Sequence, residues 1–208
     1  MEGRRNPFVA REGIPFLLLA AVGCVVALRN LEFVLAASAA LLFVALYLLF
    51  RDPRRSVPPA PLGVVSPVDG SVLSVDTVHQ GVLQGDAHRI RFEIDSFGTY
   101  TARAPVEGKI MDLHANAAHG AVDYETNALW LQTDEADDVV LQFTGYRLGL
   151  APRAIVQYGG RVGQGQRCAY LRLTRRAEVH LPISATVLVE PGDTVVAGCD
   201  LIGKLLHP

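Results

Sequence analysis

The chain has 208 residues, half of them hydrophobic, and a formal net charge of −2. That balance gives no electrostatic support to a general nucleic-acid role. The three cysteines, Cys24, Cys168 and Cys199, form no Cys-x-x-Cys pair and no Cys/His cluster, so no zinc site is expected and Cys168 and Cys199 read as reduced, buried thiols.

The apolar excess sits in the first quarter. Ile14 to Leu28 is an uncharged run, Phe33 to Phe50 is a second, and Arg29-Asn30-Leu31-Glu32 joins them. A membrane-spanning helix needs about 20 apolar residues, within a range of about 17–25. The second run meets that length; the first does so only if flanking residues extend it. Both runs are apolar all round, which argues against a core hairpin. The second follows the first at once, which argues against a cleaved signal peptide. Residues 1–50 therefore read as a two-helix transmembrane hairpin with a short tail. Arg4, Arg5 and Arg11 precede it, Arg51, Arg54 and Arg55 follow it, and the turn carries only Arg29 offset by Glu32. The positive-inside rule then puts both ends, and all that follows, on the cytoplasmic side of the inner (cell) membrane.

Residues 51–63, "RDPRRSVPPAPLG", read as a stiff Pro/Arg-rich linker whose arginines lie near anionic headgroups, set topology, or both. From 64 to 208 the pattern changes to brief β-like runs punctuated by Gly, Pro and Asp, among them "HRIRFEI", "NALWLQT", "DVVLQFTG" and "AEVHLP". The expected class is mainly β, a sandwich or barrel. Two echoes run through it. Ser66-Pro67-Val68-Asp69-Gly70-Ser71-Val72 returns as Ala104-Pro105-Val106-Glu107-Gly108-Lys109-Ile110. Gly159, Val162 and Gly165 return as Gly192, Val195 and Gly198. The pairing resembles the hammerhead-like barrel-sandwich of biotinyl and lipoyl carriers. Neither Lys109 nor Lys204 has the neighbours of a carrier lysine.

In order along the chain stand "REGIPFLLLA", "YLLFRDPRRSVP", "GVVSPVDGSVLSV", "RAPVEGKI", "YETNALWLQT", "GQGQRCAYLRLTRRAEVHLP" and "VEPGDTVVAGCDLIGKL". Together they resemble the short, membrane-anchored form of phosphatidylserine decarboxylase, also seen as an archaetidylserine decarboxylase-like form, from about Arg11 to Leu205. The resemblance implies a self-made cofactor. In the family, a serine in a Gly-Ser motif attacks the preceding peptide bond, and the new amino terminus becomes a pyruvoyl group that serves as electron sink for loss of carbon dioxide.

Two departures stand at that centre. Where the family reads approximately Phe-Gly-Ser-Arg, this chain has Leu173-Thr174-Arg175-Arg176, so Arg175 occupies the serine position. Arginine can neither form the ester nor eliminate to a pyruvoyl group; a one-residue slip to Thr174 would give an oxobutyryl group instead. Upstream, Gly98 and Tyr100 stand where the family has Asp and His, and tyrosine, with a reference pKa of about 10, is a poor proton shuttle at neutral pH. Asp69 survives; in the family it assists self-cleavage, and without its partners it reads as turn chemistry.

The expectation is a decarboxylase scaffold that forms no pyruvoyl cofactor and recognises aminophospholipid headgroups at the membrane. Arg175 and Arg176, with Arg103 and Arg147, are the candidate headgroup-binding residues; the competing reading of Arg175 and Arg176 is a solvated charged turn. Two other functions remain open: an active decarboxylase with an atypical centre, and a structural partner of a true decarboxylase. Expected partners are the phospholipid membrane and either a second copy or an active decarboxylase. His79, His88, His114 and His119 read as solvated loop histidines. His114 and His119 lie near Asp112 and Asp123, but the spacing is generic and no metal is expected. His180 reads as packing.

Overall fold

The computed structural model describes residues 8–30, 32–79, 83, 85–113, 128–146, 148 and 150–206. The chain forms two compact units, residues 1–54 and 55–208.

In the first unit a 3-10 turn, Arg11–Gly13, leads into α1 (Ile14–Arg29), with Pro15 in its first turn, and α2 (Phe33–Leu49) follows. The continuous helix Arg11–Arg29 has 19 residues and is long and apolar enough to cross a membrane, whereas Phe33–Leu49 has 17. The sequence had suggested the reverse order of lengths. The 3-10 turn extends the first helix, and Phe50 falls outside the second. Large apolar side chains such as Leu19, Val34 and Leu41 project outward, a surface of the kind that marks a membrane or protein contact. Val9 bridges Arg51, and the Arg54 guanidinium lies 4.9 Å above the Phe8 ring.

The second unit is mainly β. In chain order its strands are β1 (Gly63–Val65), β2 (Gly70–Val78), β3 (Ala87–Ile94), β4 (Thr101–Arg103), β5 (Gly108–Asp112), β6 (Ala128–Gln132), β7 (Asp138–Thr144), β8 (Arg153–Ala154), β9 (Arg161–Val162), β10 (Arg167–Tyr170), β11 (Arg176–Pro182), β12 (Thr186–Val187), β13 (Thr194–Val195) and β14 (Leu201–Lys204). An eight-stranded sheet runs β13-β2-β3-β11-β7-β6-β5-β9, and two three-stranded sheets run β1-β14-β12 and β4-β10-β8. Every pairing among the described residues is antiparallel.

The order reads the same from either end once two interleaved copies are recognised. One copy is β1-β2-β3 with β11-β12-β13-β14; the other is β4-β5-β6 with β7-β8-β9-β10. The sequence echoes are the turns where the copies meet. Val65 N–H donates to Pro105 O, and reciprocally Arg103 N–H donates to Pro67 O; Gly198 N–H donates to Ser66 O as Gly165 N–H does to Ala104 O. The core fills the space between the sheets with Val64, Val68, Ile90, Phe92, Ile110, Leu131, Leu141, Phe143 and Ile202. In β11 the core-facing residues Ala177, Val179 and Leu181 are all fully buried, which sets its register between β3 and β7.

The Pro/Arg-rich stretch divides between the two units. Arg51 to Arg54 belong to the first, and from Arg55 on the chain lies along the β unit. There Val57 packs on Gly165, and Gln164 Nε2 donates to Gly63 O at 2.5 Å.

Candidate functional site

The site grows from the first repeat turn. Ser66 caps that turn itself, its hydroxyl donating to Val68 O at 2.8 Å. This leaves the Asp69 carboxylate free to reach across the fold, and the expectation of local turn chemistry is corrected accordingly. Asp69 Oδ1 accepts from Ala197 N–H at 2.7 Å, while Oδ2 accepts from Thr99 N–H at 3.0 Å and from the Arg55 guanidinium at 2.7 Å. The carboxylate is nearly buried and its charge is met by one cation and two amides, the arrangement a buried anion requires. Its repeat counterpart, Glu107, is 68% exposed and, among the described residues, approaches only Arg161, at 4.0 Å.

The chain just before β4 connects Asp69 to the turn between β10 and β11. Thr99 N–H binds the carboxylate, and the next residue's carbonyl, Tyr100 O, accepts from Leu171 N–H at 2.9 Å. The Tyr100 ring leans on Tyr170, centroids 6.0 Å apart. Leu171 O then accepts both Thr174 N–H at 3.1 Å and the Thr174 hydroxyl at 2.5 Å. The turn Leu171–Thr174 is thereby closed around Arg172, which sits at φ 53°, a left-handed conformation that costs about 1 kcal/mol for a side-chain-bearing residue. Arg172 also donates to Ala151 O at 3.3 Å. Arg175 O accepts from Ile94 N–H at 2.8 Å, which ties the far end of the turn to β3.

Asp69, Tyr100, Thr174 and Arg175 are thus gathered along one hydrogen-bonded path. Thr174 is buried, whereas Arg175 and Arg176 are exposed and form no ion pair with another described residue. Gly98 packs tightly here: a Cβ at that position would lie 2.8 Å from Asp69 Cβ. Arg103, expected among the headgroup ligands, is instead 3% exposed, with its guanidinium on Gly165 O at 2.9 Å. It packs between the repeat copies, so the exposed headgroup set does not include it. Arg147 lies outside the described residues.

The histidines and cysteines stand apart from this path. His79 is exposed with Nδ1 2.7 Å from Asp86, and His88 lies on β3 rather than in a loop. His114, His119 and Asp123 fall outside the described residues. All three cysteines are free. Cys168 is fully buried, and that burial pushes its thiol up to about 12, so it is inert; Cys199 is only half-buried, contrary to expectation.

His180 is packed, as read from the sequence, but it is also titratable. Both ring nitrogens lack a hydrogen-bond partner among the described residues. Burial first, and Arg89 second, push its pKa down to about 4. Glu178 Oε2 lies 3.7 Å away, too far for a hydrogen bond, and the ring beside it is neutral at pH 7. The unfolded imidazole takes a proton near 6.5 and the folded one only near 4, so this stability is full above about pH 6.5 and drains as pH falls toward 4. The chain is expected to lose up to about 3 kcal/mol across that window through this residue. In denaturant unfolding at stepped pH, His180→Phe should show a flatter acid limb than the parent; identical limbs would contradict the assignment.

Taken together, the fold and site define a duplicated, barrel-sandwich-like β unit that follows an N-terminal apolar helix pair, with one copy's turn acid buried and the other's exposed. Comparison with known proteins places it further. No family model matches the chain. Curated relatives span it almost completely. The phosphatidylserine decarboxylase proenzyme of Aromatoleum aromaticum is 31% identical, covering 96% of this chain and 97% of its own. That of Nitrosomonas europaea is 33% identical over 92% and 93%, and that of Burkholderia multivorans 31% over 96% and 97%. Among solved structures, glucose permease IIA from Mycoplasma capricolum aligns at 18% identity and a TM-score of 0.47, covering 68% of this chain and 94% of its own. The chain belongs to the phosphatidylserine decarboxylase family.

Proposed function

We propose that this member of the family has lost self-processing and acts as a membrane-anchored reader of aminophospholipid headgroups, its β unit on the cytoplasmic side of the inner membrane. The observation that carries the reading is Arg175. It stands where the family resemblance puts the ester-forming serine, exposed beside Arg176. The family's pyruvoyl group does not fit these residues, because a guanidinium offers no hydroxyl to attack the chain and nothing to eliminate.

The neighbouring groups support the same reading. Thr174 carries the hydroxyl nearest in sequence, and its proton is engaged by Leu171 O. The Asp69 carboxylate is taken up by Arg55 and two amides, and Tyr100 stands in place of a proton-shuttling histidine. Arg175 and Arg176 remain as paired, planar donors suited to a phosphate or carboxylate. A second copy of this chain or an active decarboxylase is the protein partner such a reader would serve.

Denaturing mass spectrometry of the full chain tests self-processing, and native mass spectrometry in detergent with dihexanoyl phosphatidylserine added tests headgroup binding. The expected results are one unbroken species of 22.4 kDa and, under native conditions, bound lipid. Arg175→Ala with Arg176→Ala should bind it about 30-fold more weakly, from about 1 kcal/mol per lost charged contact. Two fragments divided beside Thr174 would overturn the loss of self-processing, and unchanged binding by the double variant would overturn the headgroup assignment.

A further inference from the structure

The core-facing rows of β7 and β11 run on past the end of their pairing. Val179 stands opposite Leu141 and Ala177 opposite Phe143, and all four are buried in the core. One step further, the same register sets Arg175 opposite Gly145. A Cβ built on Gly145 would lie 3.9 Å from Arg175 Cβ, the close approach of side chains directly across a strand pair. Arg175 therefore carries the core-facing row out to the mouth of the barrel. Gly145, at φ 69°, adds no side chain there.

One level below Arg175, at Phe143, opens a cavity of about 170 Å³ with Leu113, Leu129, Phe143, Ala154 and Ala169 among its walls. Ala154 and Ala169 face each other in register between β8 and β10. Two methyl groups meet there in place of larger side chains, which leaves the space. Arg153 is the one charged residue among the described lining residues, and no carboxylate is among them.

Such walls offer little to a sugar or a nucleotide, whose polar groups would go unpaired. An apolar cavity of about 150 Å³ takes one benzene molecule, so this one has room for about six carbons. The exposed Arg175 at its rim suits an anion. Rim and cavity are two strand residues apart, about 7 Å, so the ligand carries its charge directly on a compact apolar body. A diacyl phospholipid does not meet that demand, because its glycerol ester unit stands between headgroup and hydrocarbon. A small carboxylate does.

We propose that this cavity is a binding site for small apolar carboxylates of about six carbons, alkyl or aryl, with the hydrocarbon against Leu129 and Phe143 and the carboxylate on Arg175. The site goes beyond the headgroup reading. It shares Arg175 with that reading but adds a cavity that a headgroup does not need, so such an acid competes with the lipid.

The test follows 6,6,6-trifluorohexanoate by fluorine NMR as the full chain in detergent is added, with detergent alone as the blank. Displacement by unlabelled straight-chain carboxylates then ranks their affinities. Affinity is expected to rise about fourfold per methylene from butyrate to hexanoate and to stop rising at octanoate and decanoate. Ala154→Leu, at an exposed position on the edge strand β8, should flatten that rise because the added carbons fill the space. Arg175→Gln should weaken hexanoate but leave hexanol unchanged. Affinity that is flat with chain length, or a rise unaltered in Ala154→Leu, overturns the proposal. So does equal affinity of Arg175→Gln and the parent for hexanoate. Affinity that keeps climbing to decanoate overturns it as well, since the site would then be a groove for long acyl chains. The headgroup reading fails separately: Ala154→Leu should still bind dihexanoyl phosphatidylserine as the parent does, and a parent that binds hexanoate but not that lipid would sink the headgroup reading alone.

Discussion

Replacing Asp69 by alanine is expected to lower the stability of the β unit by about 3–5 kcal/mol, while replacing its repeat counterpart Glu107 should change it by less than about 0.5 kcal/mol. The difference comes from what each carboxylate leaves behind. Without Asp69, the amides of Thr99 and Ala197 and the half-buried Arg55 lose their acceptor together, and each stranded donor costs about 1–3 kcal/mol. Without Glu107, only a 4.0 Å approach by an exposed arginine is lost, which water replaces. Asp69→Asn should fall between, because one carbonyl oxygen still meets one amide. Denaturant unfolding of the detergent-solubilised chain measures all three. An Asp69→Ala protein as stable as the parent would mean that the carboxylate has no structural duty.

The second large effect is expected at the two glycines that open β2 and β5. A Cβ on Gly70 would stand 1.9 Å from Glu93 O, and one on Gly108 2.4 Å from Gln132 O. Both obstacles are backbone, on the strand that each glycine's own strand pairs with, so neither can swing aside. Gly70→Ala and Gly108→Ala are each expected to cost about 3 kcal/mol. Similar losses at the two sites, read as falls in unfolding midpoint, would reflect the equivalence of the repeat copies. A loss at one site alone would show that the copies have drifted apart energetically.

The mainly β class was legible in short runs punctuated by Gly and Pro, and the repeat was legible because two close-packed turns demand the same small residues. The interleaving of the copies was not, since β11 lies beside β3 and β7 through pairings distant in the chain. Tyr100, Thr174 and Arg175 were singled out by their place relative to a familiar motif, and the fold brings them onto one path with Asp69. Arg55 was missed as a member of the site. It read as one more juxtamembrane charge, because nothing local marks an arginine that pairs with an aspartate 14 residues on. Arg103 was misjudged for the opposite reason. Charge alone suggested exposure, whereas a carbonyl on the second repeat turn gives its guanidinium a buried acceptor.

The interleaving has a bearing on what a broken chain would look like. The turn Leu171–Thr174 lies between β10, which closes one copy, and β11, which resumes the other. Everything after it is woven back into the part before it: β11 is clasped between β3 and β7, β14 pairs β1, and β13 pairs β2. Severing that turn would leave a tail held as a donated strand set, and the pieces would travel together through any gentle separation. The architecture is therefore indifferent to whether this one peptide bond is whole. A lineage could abandon the cut, or retain it, without redesigning the barrel, and only a denaturing measurement would tell the two apart.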